Sequence, residues 1–323
     1  MPNRSDVPNN SFLYANQSHF ETLLYSVYYA PRGRPRLYVL AGQLASRYLT
    51  PSDLLIGIIG AEGAGKSTLI KGLFPGLELT NDDDGVNLRP TPIYDFHSED
   101  FFAAHTFHLD IRYELAFKQQ FEIVEAIQRA LEDGRRVVIE HFDLIYGALG
   151  FNAQIIFGLG EEVIVARPTV FGPTPSSIKS VVEKTTKYRK MAHSAEDITS
   201  HILATDYNYT RRVLHSDVKH GFVIKFPEEP QIDLDELEGK VRAIIASNVP
   251  IGGCGKDRIR IGDWEMYCTG TRTHVKSSGE IEDFRLLKKY MFDPIWKEYM
   301  LVGMVGKKYR SGIEDMVYFD EQG

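Results

Sequence analysis

Cysteine and tryptophan are scarce in this chain of 323 residues, with two of each. Cys254 and Cys268 are too few for a disulfide framework, which predicts a fold held by its own apolar cores in a reducing compartment. No apolar run approaches the length of a membrane-spanning helix, and Met1 to Asn10 is polar, without the apolar centre of a signal peptide. These absences predict a cytoplasmic protein with no membrane partner. Internal repeats and low-complexity tracts are also lacking, which argues against a solenoid or a disordered scaffold. The net charge of −7 is unevenly spread. Up to Ser177 there are 14 Lys and Arg against 21 Asp and Glu, and beyond it 23 of each, so the C-terminal half is the better surface for a nucleic acid.

What is present is a complete G-x-x-x-x-G-K-[ST] motif: Gly60-Ala61-Glu62-Gly63-Ala64-Gly65-Lys66-Ser67. An apolar run, Leu54 to Ile59, leads into it, and Leu69, Ile70 and Leu73 follow at helical spacing. A buried strand, a glycine loop and a helix N-terminus in this order form a cradle for a nucleoside triphosphate. The amides of Gly60 to Thr68 would surround the phosphates, Lys66 would reach the β- and γ-phosphates, and Ser67 would ligate Mg²⁺.

Around this motif the pattern predicts an amphipathic helical segment over 19–49, broken at Pro31 to Pro35, and a polar loop over 75–100. A long helix is expected from Tyr113 to Asp133, with Phe117, Phe121, Val124, Ile127 and Leu131 on its apolar face. Strands are expected at 136–140 and 162–166, a Pro-rich linker at 167–177, and a helix over 178–203. Alternating strands and helices imply a three-layer α/β sandwich with a mostly parallel sheet, followed by an α+β domain. The divisions are a helical segment at 1–50, a nucleotide domain at 51–172 and a second domain at 173–323.

Three acidic groups suit metal holding or water orientation: Asp82 to Asp84, Asp110 at the end of Thr106–Asp110, and Glu140 at the end of Arg136–Glu140. In a small-molecule kinase the aspartate run would instead supply the base for a substrate hydroxyl. A third alternative is a nucleotide-binding switch without turnover. Downstream, Cys268 with His274 raises a zinc site or a thiol nucleophile, and His193 and Asp197, four apart, share a helix face.

Two resemblances give these residues a context. Gly60 to Ser67, Arg89-Pro90-Thr91, His108-Leu-Asp-Ile-Arg112 and Val138-Ile-Glu140 resemble, in order, the motifs of bacterial ATPases of tRNA threonylcarbamoyladenosine biosynthesis. This implies ATP and Mg²⁺ as cofactors, with Thr91, Asp110 and Glu140 in the site and Lys66, Asp110 and Glu140 acting in hydrolysis. Glu140 is followed here by His141, where that family has Trp. Residues 261–284, with Ile261-Gly-Asp263, Cys268, His274 and Gly279-Glu-Ile, resemble the second additional, editing domain of alanyl- and threonyl-tRNA synthetases. His193-Ser-Ala-Glu-Asp197 resembles that family's two-histidine helix. The resemblance implies a Zn²⁺ set of His193, Asp197, Cys268 and His274, and an aminoacyl-tRNA partner. The chain departs from the pattern by carrying Asp197 for a histidine and five residues, instead of three, between Cys268 and His274.

Overall fold

The computed structural model describes residues 25–82, 85–86, 91–94, 105–209 and 215–307. Their first half is built on a mixed sheet of six strands. These are β1 (Tyr25–Tyr29), β2 (Leu55–Gly60), β3 (Thr106–Asp110), β4 (Arg136–Glu140), β5 (Ile155–Leu159) and β6 (Glu162–Ala166). Their spatial order is β1-β6-β5-β2-β4-β3. The pairs β2–β4, β2–β5 and β3–β4 are parallel, whereas β6 runs antiparallel to both β5 and β1.

Strand alternation sends successive side chains to opposite faces. Ile56 and Ile58 join a core with α1 (Arg34–Tyr48) and α2 (Lys66–Leu73). Leu55 and Ile59 join another with α3 (Gln120–Glu132) and the first turns of α4 (Pro175–Asp206). Helices therefore cover both faces, and β2 is buried along its whole length.

Several expected elements differ. Within the segment expected to be helical at 19–49, Tyr25–Tyr29 is a strand added antiparallel to β6, and α1 starts only after Pro31 to Gly33. Alternating Tyr and Val residues suit an edge strand, and Pro35 in the first turn of α1 marks its start. The expected helix over 113–133 is two pieces, a turn at Ile111–Glu114 and then α3, which a Gln119–Glu122 capping box starts afresh. Phe117 and Phe121 consequently lie exposed, and Ile123, Ala126, Ile127, Ala130 and Leu131 form the buried face. Ile155–Leu159 was not expected as a strand at all: a five-residue run ending in Gly-Leu carries little periodicity.

The proline-rich stretch 167–177 forms a tight turn between Thr169 and Gly172, and Thr174 then caps α4. This 32-residue helix is the spine of the molecule. Ile178 and Val182 pack on the first sheet at Gly158 and Gly160, where a Cβ at Gly160 would sit 2.9 Å from the Val182 backbone. Met191 to Leu203 pack in the second core. There the helix meets β8 (Gly221–Phe226), part of a sheet ordered β12 (Arg285–Leu286), β14 (Glu298–Met304), β8, β7 (His215–Val218), with β13 (Met291–Asp293) paired to β14. Also in this half are α5 (Leu234–Ala246) and a meander of β9 (Ile251–Gly255), β10 (Arg258–Ile261) and β11 (Trp264–Tyr267). Among the described residues no helix is long and apolar enough to cross a membrane.

Two polar contacts between the halves lie buried near Gly221. Arg32 donates to Glu196 at 3.0 Å and to the Gly221 carbonyl at 3.0 Å. Glu161 accepts from the His220 amide at 2.6 Å and lies 3.4 Å from the His220 ring. Burial pushes the Glu161 carboxyl up to about 8, the His220 amide and Arg32 only partly opposing it. Burial, followed by the charge of Lys219, holds His220 down to about 4. The pair is thus neutral near pH 7.

The linkage has a definite sign. Stability from a raised Glu161 is complete below pH 4.5 and drains as pH rises to about 8. Stability from a depressed His220 is complete above pH 6.5 and drains as pH falls to about 4. The two slopes cancel between, so the pair's contribution falls only above pH 6.5, by roughly 2 kcal/mol up to pH 8. Urea unfolding at pH 6.5 and 8 should show this loss in the wild type and its absence in Glu161→Gln; equal losses in both proteins would exclude Glu161 as the source.

Candidate functional site

β2 delivers the chain to the turn Gly60 to Gly65, whose geometry requires its glycines. Gly63 and Gly65 have φ of +74° and +99°, in the left-handed region that side chains disfavour. Gly65 is the N-cap of α2 and offers no side chain, so the first-turn amides of the helix stand at the mouth of a cavity. Lys66 is buried: its Nζ lies 3.3 Å from the Ala61 carbonyl and 3.8 Å from Glu140 Oε2. Ser67 and Thr68 line the same cavity.

The parallel pairing of β3 and β4 sets Asp110 directly opposite Glu140. Both carboxylates end their strands at the edge facing the glycine turn, where the next strand, β2, ends. Asp110 Oδ1 accepts from the amides of Arg112 and Tyr113 at 2.9 and 3.3 Å, which orients the group. Glu140 lies beside His108. The Thr80 amide donates to His108 Nδ1 at 3.2 Å, which leaves the ring proton on Nε2, 3.4 Å from Glu140 Oε1. Burial opposes the Glu140 charge, but His108, Lys66 and His141 outweigh it and keep the carboxyl below its usual range. Glu140 is therefore an anion at neutral pH.

His141 was not among the residues expected here. It has φ of +56°, which turns the chain at the end of β4, and its ring lies with Asp110 and Glu140 within 4.8 Å. The three groups could together hold a cation. Burial and then Lys66 lower the His141 imidazole, which favours the neutral, ligating form. The departure from Trp at this position was the signal in the sequence. Thr91, in contrast, does not line the cavity: it is buried and donates to Glu114 at 2.5 Å. Arg89 and Pro90, and Asp83 and Asp84 of the aspartate run, lie outside the described residues.

The second cluster unites the four residues expected as zinc ligands. His193 and Asp197 project from one face of α4, and Cys268 and His274 bracket the loop after β11. His274 Nε2 is 3.0 Å from Asp197 Oδ2, and His193 Nε2 is 3.9 Å from the same oxygen. Cys268 Sγ is 3.4 Å from His193 Nε2 and 4.0 Å from His274 Nε2. A tetrahedral Zn²⁺ with bonds of about 2.0–2.3 Å separates its ligand atoms by roughly 3.3–3.8 Å, so the donor spacing fits such an ion. His193 Nδ1 lies 3.2 Å from the Thr273 carbonyl, a contact that places the proton on Nδ1 and leaves Nε2 to ligate. Burial, then His274, holds His193 well below its ordinary range and keeps it neutral. All four residues are buried, Asp197 completely. His201, one turn further along α4, takes no part and stacks on Trp264 at 3.7 Å.

Asp110, Glu140 and His141 line one cavity of about 1110 Å³ with His274, the one member of the second cluster that reaches it; His193, Asp197 and Cys268 lie buried behind. One wall is the glycine turn with Lys66, Asp110 and Glu140, and the other is Thr269 to His274. Arg34, Arg112, Lys190, Lys256, Arg272 and Lys276 also line it. Against the three acids Glu62, Asp110 and Glu140, this lining makes the cavity strongly cationic, as suits a polyanion. No protein-family model matches the chain, and neither does any of the curated proteins.

Proposed function

We propose that the protein binds and hydrolyses ATP with Mg²⁺ at Gly60 to Thr68. Its C-terminal half would take an aminoacyl-tRNA terminus or a related ester, under control of the bound nucleotide. The observation that carries this reading is the junction of three strand ends in one cavity: the glycine turn of β2 with Lys66, Asp110 after β3 and Glu140 after β4. In it Lys66 neutralises the terminal phosphates, and Ser67 and Asp110 hold Mg²⁺. The anionic Glu140, with His108 beside it, orients the attacking water and accepts its proton. A metal at His193, Asp197, Cys268 and His274 would brace the second wall and, where a position opens, polarise an ester carbonyl. Thr269 to Thr273 then supply polar groups beside the ester.

Phosphate release with Mg²⁺, with and without tRNA, tests the reading. Glu140→Gln should lose hydrolysis by about 100-fold while still binding ATP. A phosphorylated metabolite from a nucleoside panel would assign the site to a kinase. Background hydrolysis despite tight ATP binding would make it a switch. The C-terminal part has a separate assay: alanine tRNA mischarged with serine should lose its amino acid faster with the protein than without it.

A further inference from the structure

The loop between Cys268 and His274 lies against the glycine turn. A Cβ at Gly63 would sit 2.8 Å from the Arg272 carbonyl oxygen, and a Cβ at Gly33 would sit 2.8 Å from Thr269 Oγ1. Gly270, between them, is pressed onto the Arg32 backbone and the His193 ring, so no side chain fits there. The five residues separating Cys268 from His274 are thus long enough to span from the metal cluster to the turn. Arg272 stands at the far end, exposed, its backbone against Gly63, and it lines the same cavity as Lys66 and Ser67.

A second connection runs through α4. Arg189 Nη1 donates to the Ala64 carbonyl at 2.7 Å and to the Gly160 carbonyl at 3.2 Å, and Lys190 Nζ reaches the Glu62 carbonyl at 3.5 Å. Arg189, His193 and Asp197 follow one another at intervals of four, forming one stripe of the helix. The same stripe therefore holds the Ala64 carbonyl of the glycine turn and two residues of the metal cluster.

We propose that the Cys268–His274 loop completes the nucleotide site. In this arrangement Arg272 is a second cation for the polyphosphate, opposite Lys66, and metal ligation at the two ends of the loop fixes its position. The proposal rests on ATP binding at Gly60 to Ser67. A guanidinium suits this place because its fork can bond two phosphate oxygens at once. The terminal phosphate, the end of the chain that Lys66 also reaches, is the group most dependent on Arg272. Because one loop serves both ligands, metal and nucleotide must strengthen each other's binding by the same factor.

The test is ATP and ADP titration of the full-length protein by calorimetry, using wild type, Arg272→Ala, Arg272→Lys and Lys66→Ala, each zinc-loaded and after chelation. Arg272→Ala should weaken ATP by about 10-fold and ADP by clearly less, with partial recovery in Arg272→Lys. Chelation should weaken ATP by a comparable factor in the wild type but little in Arg272→Ala. Zinc affinity should rise by the same factor when ATP is bound. Arg272 is exposed, so its variants should keep the fold, and they decide the matter alone if chelation unfolds the protein. If Arg272→Ala binds ATP like the wild type while Lys66→Ala does not, the proposal is wrong and the nucleotide site stands. If the wild type binds no ATP, the nucleotide reading fails, and the proposal with it.

Discussion

Lys66→Ala should abolish measurable ATP binding, weakening it by about 100-fold or more, and hydrolysis should vanish with it. The lysine is buried at the base of the glycine turn, and its nearest partners are a backbone carbonyl at 3.3 Å and Glu140 at 3.8 Å. Neither is a close ion pair, so the ammonium can swing to a phosphate without breaking a strong bond. A charge-assisted bond to a phosphate in a confined cavity contributes about 3 kcal/mol, and losing it also leaves Glu140 facing the phosphates without compensation. That energy corresponds to about two orders of magnitude in affinity. Lys66→Arg should not restore binding, because a planar guanidinium does not fit where a compact ammonium enters between Ala61 and Glu140. Calorimetric titration with ATP measures both variants. Binding of ATP by Lys66→Ala within a few-fold of the wild type would remove the turn from nucleotide recognition.

Cys268→Ser has the second large expected effect, and it acts on stability. The wild type should purify with about one zinc per chain, and the variant should lose it on dialysis against a mild chelator. The cluster joins α4 to a loop more than 70 residues away in sequence, so losing the ion leaves the Asp197 charge buried without its cation, beside His274 at 3.0 Å. We expect a melting temperature lower by roughly 5–10 °C. Asp197→Ala should behave the same way. Asp197→His, which places two histidines four apart on the helix, should retain zinc. Elemental analysis and differential scanning calorimetry on the three variants settle this. A wild type that carries no zinc and does not bind added zinc would show that the cluster is a buried hydrogen-bond network.

Legibility in the sequence followed the range of the physical forces. Gly60 to Ser67 was readable because every part of it is local: strand, turn and helix start lie within 20 residues. The pairs Cys268–His274 and His193–Asp197 were readable from the residues themselves, and a resemblance joined them into one set of four. The strand β1 was hidden because Tyr25–Tyr29 is half-exposed, and the edge it covers belongs to β6, more than 130 residues away. Phe117 and Phe121 misled because aromatic residues at helical spacing mimic a core face, whereas the capping box at Gln119 restarts the helix in another phase. Thr91 followed a motif order, and its hydroxyl is committed to Glu114. Nothing in the sequence indicated that His274 and the loop before it face the glycine turn across one cavity. That arrangement comes from α4, whose continuous 32 residues set the glycine turn and the Cys268–His274 loop face to face.

The decisive juxtaposition is that of a nucleotide on the glycine turn with a metal held by His193, Asp197, Cys268 and His274 behind the Thr269–His274 wall of the same cavity. It is tested most directly by loading the cluster with Co²⁺ in place of zinc and recording the ³¹P relaxation of bound ATP with saturating Mg²⁺. The expected result is strong paramagnetic broadening, greatest for the γ-phosphorus, that disappears in the zinc-loaded protein and in Cys268→Ser. ATP that binds with unchanged ³¹P relaxation beside a cobalt-filled cluster would contradict it.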